Sequence, residues 1–210
     1  MPTGGRERHH LVVVGASAGG VEALRALVAG LPEDFPAALV VVMHLREIGP
    51  SAMPEILARA GALSATHVVD GEPLVGGRIY VGPPGSHLTV DADRLHLDTG
   101  PSLNGHRPAI DRLFQSAAES HGDQTIGVIL SGMLDDGARG LAAVQRHGGL
   151  TIVQDPADAA FPSMPTAALG RVEADFVVPA ARIGPLLADS VTIQRAEGGF
   201  VPDLENEERA

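Results

Sequence analysis

The chain has no cysteine, no tryptophan and a single tyrosine, and aromatic residues make up 3% of its 210 positions. Without cysteine there is neither a disulfide framework nor a thiolate metal site. With so few aromatics the core has to be aliphatic, and a hydrophobic share of 44% supplies the material for it. Positive charge is short as well: 15 Lys and Arg stand against 26 Asp and Glu, a formal net charge of −11. That balance repels phosphate backbones and anionic lipid, so nucleic acid is not an expected partner and membrane insertion is not expected. No apolar run is long enough to span a bilayer, and the opening MPTGGRERHH lacks the apolar stretch of a signal peptide. The expectation is a cytoplasmic protein with one α/β domain over residues 11–190, a flexible start over 1–10 and an acidic flexible tail over 191–210.

What is present is organised around Leu11–Gly20. Leu11, Val12, Val13 and Val14 run into a corner of small residues, Gly15-Ala16-Ser17-Ala18-Gly19-Gly20, and a helical pattern of Val21, Leu24, Leu27 and Val28 follows. A second apolar run, Ala38–Met43, ends at His44, and Ser51 reads as the cap of a second helix carrying Met53, Ile56 and Leu57. Strand, helix, strand, helix in so short a span predicts a parallel sheet with helical crossovers. Between 66 and 98 the texture changes to four short segments split by Asp-Gly, Gly-Gly, Pro-Pro-Gly and Asp-Ala-Asp, which predicts an antiparallel hairpin insertion. The α/β rhythm resumes with a helix over 108–120, a strand over 125–130, a helix over 138–147, a strand over 150–154, a helix over 164–170, a short strand over 175–178 and a last helix over 183–189.

The glycine corner is open to three readings. As a dinucleotide fingerprint it is poor: Ser17 replaces the glycine that lets pyrophosphate approach the backbone, and the second strand ends in Met43-His44-Leu45 rather than a ribose-binding acid. As a helix cap, Ser17 needs no further role. As a nucleophile elbow, Gly15-x-Ser17-x-Gly19 pushes a hydroxyl out on a strand-to-helix turn. The last reading gains from the other strand ends, because an open parallel sheet collects its ligands at the carboxyl ends of its strands. Ser17, His44 and either Asp135 or Asp136 end three strands and are the parts of a serine hydrolase: nucleophile, base, and the group that orients the base. Their order along the chain differs from the Ser, Asp, His order of α/β-hydrolases, so the topology differs too. The nine histidines show no metal-ligand spacing, and neither a metal nor a cofactor is expected.

Five segments together resemble the catalytic domain of the CheB family, the bacterial chemotaxis protein-glutamate methylesterases: Val13–Gly20, Val41–His44, Asn104–Asp111, Leu130–Ala138, and Gln154-Asp155-Pro156 with Phe161–Pro165. The resemblance runs in order over about residues 9–190. It implies a doubly wound, mostly parallel, Rossmann-like sheet. It also implies hydrolysis of glutamate methyl esters on the cytoplasmic helices of chemoreceptors, with deamidation of certain receptor glutamines. It maps the nucleophile onto Ser17, the histidine onto His44 and the aspartate onto Asp136, which settles the choice that strand ends left open. Backbone N–H groups at Ala18, Gly19 and Met133 are candidates for holding the oxyanion. Arg107 is either a partner for acidic groups around the substrate glutamate or a structural loop residue; His87 and His106 read as structural, Asp135 as a solvated acid at a helix start, and Met133 and Met164 as cleft lining or packing.

The chain also departs from the family pattern. Ala18 stands where many members have threonine, Leu134 where they have glycine, Met43 where a polar residue precedes the histidine, and the loop over 45–50 has an unusual form. The family's phosphorylatable receiver domain is not represented, so autoinhibition by a receiver within this chain is not expected, and a regulator acting in trans is left open. Two alternatives remain beside the methylesterase reading: a receptor-binding signalling module with an altered partner, and a small-ester hydrolase.

Overall fold

The computed structural model describes residues 10–44 and 51–197. Seven strands form one sheet: β1 (Leu11–Ala16), β2 (Ala38–Met43), β3 (Ser64–His67), β4 (Arg78–Val81), β7 (Thr125–Ile129), β8 (Leu150–Gln154) and β9 (Phe176–Val178). Their spatial order is β3-β4-β2-β1-β7-β8-β9, and every neighbouring pair is parallel. The remaining strands, β5 (His87–Asp91) and β6 (Arg94–Asp98), make a separate antiparallel pair.

Helices cover both faces, and the central strands show why their sequences are continuously apolar. Val12, Val14 and Ala16 of β1, with Leu39, Val41 and Met43 of β2, face the core made with α1 (Gly20–Ala29), α2 (Met53–Ala60) and α6 (Ala180–Glu197). Leu11 and Val13, with Ala38, Val40 and Val42, face the opposite core, made with α3 (Ile110–His121), α4 (Ala138–Arg146) and α5 (Ser163–Leu169). Each residue of these strands is thus buried on one side or the other, a period of two hidden inside an unbroken apolar run. The order of the sheet reverses at β1: the chain leaves it toward β2 on one side and later returns beside it as β7. Ligands of doubly wound sheets bind at such a switch point.

Two expectations about the elements are corrected. Of the four segments between 66 and 98, only β5 and β6 form a hairpin; it lays Leu88, Val90 and Leu95 into the core beneath α3. β3 and β4 join the main sheet in parallel instead. The turn residues between them do not close a hairpin. They fold the connection back on itself, where the Tyr80 hydroxyl donates to Pro73 O (3.2 Å) and accepts from Val75 N–H (3.0 Å). The last helix, expected over 183–189, spans Ala180–Glu197. Its buried face of Ile183, Leu187 and Val191 continues at helical spacing past the polar residues that suggested an end. The start over 1–9, the loop over 45–50 and the tail beyond 197 lie outside the described residues.

Candidate active site

Ser17 follows directly on β1. Its N–H donates to Ser131 O (3.0 Å), its carbonyl accepts from Gly20 N–H (2.9 Å), and Gly19 closes the corner at φ 71°, a left-handed conformation that costs glycine little. A side chain on Gly19 would also run into Ser131 Oγ and Phe161. His44 follows β2, the neighbouring strand, with its N–H on Ala16 O (3.1 Å). Asp136 sits on the loop between β7 and α4, so three different strand ends deliver the three side chains to one place.

The structure brings Ser17, His44 and Asp136 into one hydrogen-bonded chain. His44 Nδ1 lies 3.2 Å from Ser17 Oγ, and His44 Nε2 lies 2.8 Å from Asp136 Oδ2. Burial by itself would raise the Asp136 carboxyl. The hydrogen bonds it accepts from His44, Ile110 N–H and Asp111 N–H outweigh that and hold it below the ordinary carboxylate value. Asp136 is therefore an anion, which accepts only, so Nε2 carries the imidazole proton and Nδ1 is free to accept from the Ser17 hydroxyl. The ring nitrogens exchange the roles they have in the serine-protease template, where Nε2 faces the serine.

The carboxylate is held at the start of a helix. Ile110 N–H donates to Asp136 Oδ2 (2.8 Å) and Asp111 N–H to Oδ1 (3.1 Å), which satisfies two unpaired donors of α3 in the favourable sense of its dipole. The approach is close because Gly15 lies beneath Ile110, where a β-carbon would collide with the isoleucine side chain. Asp111 returns the arrangement: its Oδ1 accepts from Gly137 N–H (3.0 Å) and Gly140 N–H (2.8 Å) at the start of α4. Two buried acids thus cap each other's helices. Burial pushes the Asp111 carboxyl up, the neighbouring Asp136 charge adds to this, and the two N–H donors only partly oppose it.

His106, which reads as structural in the sequence, stands beside the proposed base. Its ring lies flat on that of His44, centroids 3.7 Å apart and planes 4° apart. Burial and the proximity of His44 lower its affinity for a proton, while Asp136 pulls the other way. It is delivered by a tight turn at Asn104 and Gly105, both at positive φ, with Leu103 and His106 exchanging backbone hydrogen bonds. Asn-Gly is a hairpin signal available in the sequence, but nothing local says where the following ring points. Asp111 was missed for a similar reason, since its partners are 26 and 29 residues away.

The other expected site residues separate. Ala18, Gly19 and Met133 flank Ser17 and the adjoining loop, and no described carbonyl accepts from their N–H groups. Gly132 touches Ser17: a β-carbon there would lie 2.9 Å from Ser17 Cβ and on the Met164 sulfur. Met164 is buried beneath the loop, Met133 is 53% exposed and Asp135 is exposed. Arg107 Nη1 donates to Thr99 O (3.1 Å) and Gly100 O (3.0 Å), tying down the loop before α3. His87 is buried and structural as expected; Nδ1 accepts from Ala109 N–H (3.2 Å) and Nε2 donates to Pro101 O (2.9 Å).

Fold and site together define a doubly wound α/β domain that carries a serine–histidine–aspartate constellation at its switch point. The CheB methylesterase family matches residues 12–187. The chain is 42% identical over 186 residues to protein-glutamate methylesterase/protein-glutamine glutaminase 2 of Xanthomonas oryzae, covering 87% of this chain and 52% of that one. A putative protein-glutamate methylesterase/protein-glutamine glutaminase of Leptospira interrogans is 34% identical over 179 residues, covering 85% and 93%. The crystal structure of the Thermotoga maritima CheB methylesterase catalytic domain superposes with a TM-score of 0.82 at 33% identity, covering 87% of this chain and 99% of that one. The chain belongs to the CheB methylesterase family. It spans about half the length of the Xanthomonas relatives.

Proposed function

We propose that this domain is a serine-dependent protein-glutamate methylesterase that acts on methylated chemoreceptor helices in the cytoplasm and also deamidates receptor glutamines. The observation that carries the reading is the continuous chain from Ser17 Oγ through His44 to Asp136, set at the switch point of the sheet. The names of the relatives supply the substrate class.

The reaction is a two-step acyl transfer. His44 Nδ1 takes the hydroxyl proton as Ser17 Oγ attacks the ester carbonyl, and Asp136 stabilises the imidazolium through Nε2–H. The same proton then goes to the departing methoxide, releasing methanol and leaving a glutamyl ester on Ser17. Water, deprotonated by His44, attacks that ester; the proton returns to Ser17 Oγ and the free glutamate leaves. For a glutamine side chain the leaving group is ammonia. The N–H groups of Ala18, Gly19 and Met133, which no carbonyl among the described residues accepts from, are the candidate donors to the oxyanion. One such donor is worth about 3 kcal/mol in other enzymes. Arg107 is occupied by loop carbonyls and acts by shaping the approach rather than by pairing with substrate.

The test is methanol release from a methylated chemoreceptor cytoplasmic fragment, with deamidation followed on the same fragment by mass. Release dependent on the protein supports the reading. No release under conditions where the protein is folded overturns it.

A further inference from the structure

Leu134 breaks two local rules at once. Its φ is 65°, in the left-handed region that a leucine side chain occupies only at a cost, because Cβ crowds the following carbonyl. Its side chain is also 64% exposed, so the domain itself covers little of it. Glycine or asparagine adopts this backbone with less strain and leaves no apolar side chain in water. Neither the turn nor the core therefore explains a leucine here. Violations of this kind, where the surroundings hold a residue in strain, concentrate at functional sites.

Its position gives the reason. Leu134 is on the same loop as Gly132, whose backbone abuts Ser17, and Asp136, which holds His44. Met133 beside it is 53% exposed. Phe161, 42% exposed, lies next to Gly19 and is tied to the same loop through Gly132 N–H on Phe161 O (3.0 Å). Exposed apolar side chains thus stand on two loops that meet the corner carrying Ser17. A lone methyl ester needs no such side chains, whereas an ester carried on a folded segment brings its neighbours with it.

We propose that Leu134 is a specificity-determining residue that packs against apolar side chains flanking the modified glutamate on a protein substrate. This rests on the esterase reading above and deepens it. The contact selects an ester presented on a polypeptide over the same ester on a small molecule, and the strained backbone is kept to hold the leucine at the rim.

The experiment compares methanol release from the methylated receptor fragment with release from N-acetylglutamate γ-methyl ester, for the wild type and for L134G, L134N and L134M. The control is A92G, which relieves a similar left-handed residue (φ 48°) in the turn between β5 and β6, away from the site. The ratio of kcat/KM on the fragment to kcat/KM on the small ester falls about tenfold in L134G and L134N, the scale of one leucine contact. L134M keeps most of the ratio, A92G leaves it alone, and the unfolding temperatures of L134G and L134N do not drop. A ratio unmoved in L134G and L134N, with both esters cleaved, overturns this proposal alone. So does a fall of several degrees in both unfolding temperatures, which would make the role structural. A wild type that cleaves neither ester ends the esterase reading and this one with it.

Discussion

The imidazole of His106 covers one face of the His44 imidazole at 3.7 Å, in parallel planes. Neither ring bonds the other, so the contact acts on His44 through shape and charge. It fixes the plane in which Nδ1 and Nε2 reach Ser17 and Asp136, and it keeps a neutral ring, rather than a cation, against the proposed base. Truncation by H106A is expected to lower kcat/KM about fivefold, from an aromatic pair worth about 1 kcal/mol, and H106F is expected to retain most of it. The histidine itself has a pH signature. Its folded value lies below the ordinary one, so its contribution to stability is complete above the ordinary histidine range and is lost as pH falls through the lowered value. Thermal unfolding of H106F should therefore be flatter than the wild type across that mildly acidic window. Equal slopes would mean the ring does not titrate there.

Asp136 connects the proposed chemistry to stability. As an anion it accepts from His44 and from two N–H groups of α3. D136N preserves the shape but removes the charge that stabilises the imidazolium and sets the tautomer. In the template triad the equivalent change lowers kcat about 10⁴-fold, and a loss of that order is the expectation here. Because the folded value of Asp136 is depressed, its stabilising contribution exists above the ordinary carboxylate value and disappears as pH falls through the lowered one. D136N should be less stable than the wild type near neutral pH, and the gap should close in acid; calorimetry across pH reads both.

Asp111 behaves in the opposite sense. Its folded value is raised, so protonation favours the folded state and stability is lost as pH rises through the raised value. The amide oxygen of D111N can still accept from Gly137 and Gly140, and the buried charge is gone. The variant is expected to unfold at a temperature equal to or above that of the wild type at neutral pH. The advantage should fade as pH drops below the ordinary carboxylate range. A destabilised D111N at neutral pH would show that the caps need the anion.

Much of this arrangement was legible from spacing alone. The strands β1, β2 and β7 declare themselves as apolar runs, and their ends name Ser17 and His44 because a doubly wound sheet gathers its ligands there. The choice between Asp135 and Asp136 was not legible that way. It is made by the N-terminus of α3, which turns one acid inward and leaves the other in water, and the resemblance supplied what spacing could not. The parallel pairing of β3 with β4 was hidden because parallel neighbours carry no local signal, whereas the turn residues between them mimic a hairpin. His106 and Asp111 were hidden by long-range contacts that no periodicity encodes.

Ser17 is the proposed nucleophile. The most direct test of that role is titration with a serine-directed fluorophosphonate, followed by peptide mapping and a parallel assay of methanol release. One adduct per chain is expected, on Ser17, with activity lost in step and no adduct on S17A. Full methanol release from S17A, or from protein labelled to completion at Ser17, would contradict it.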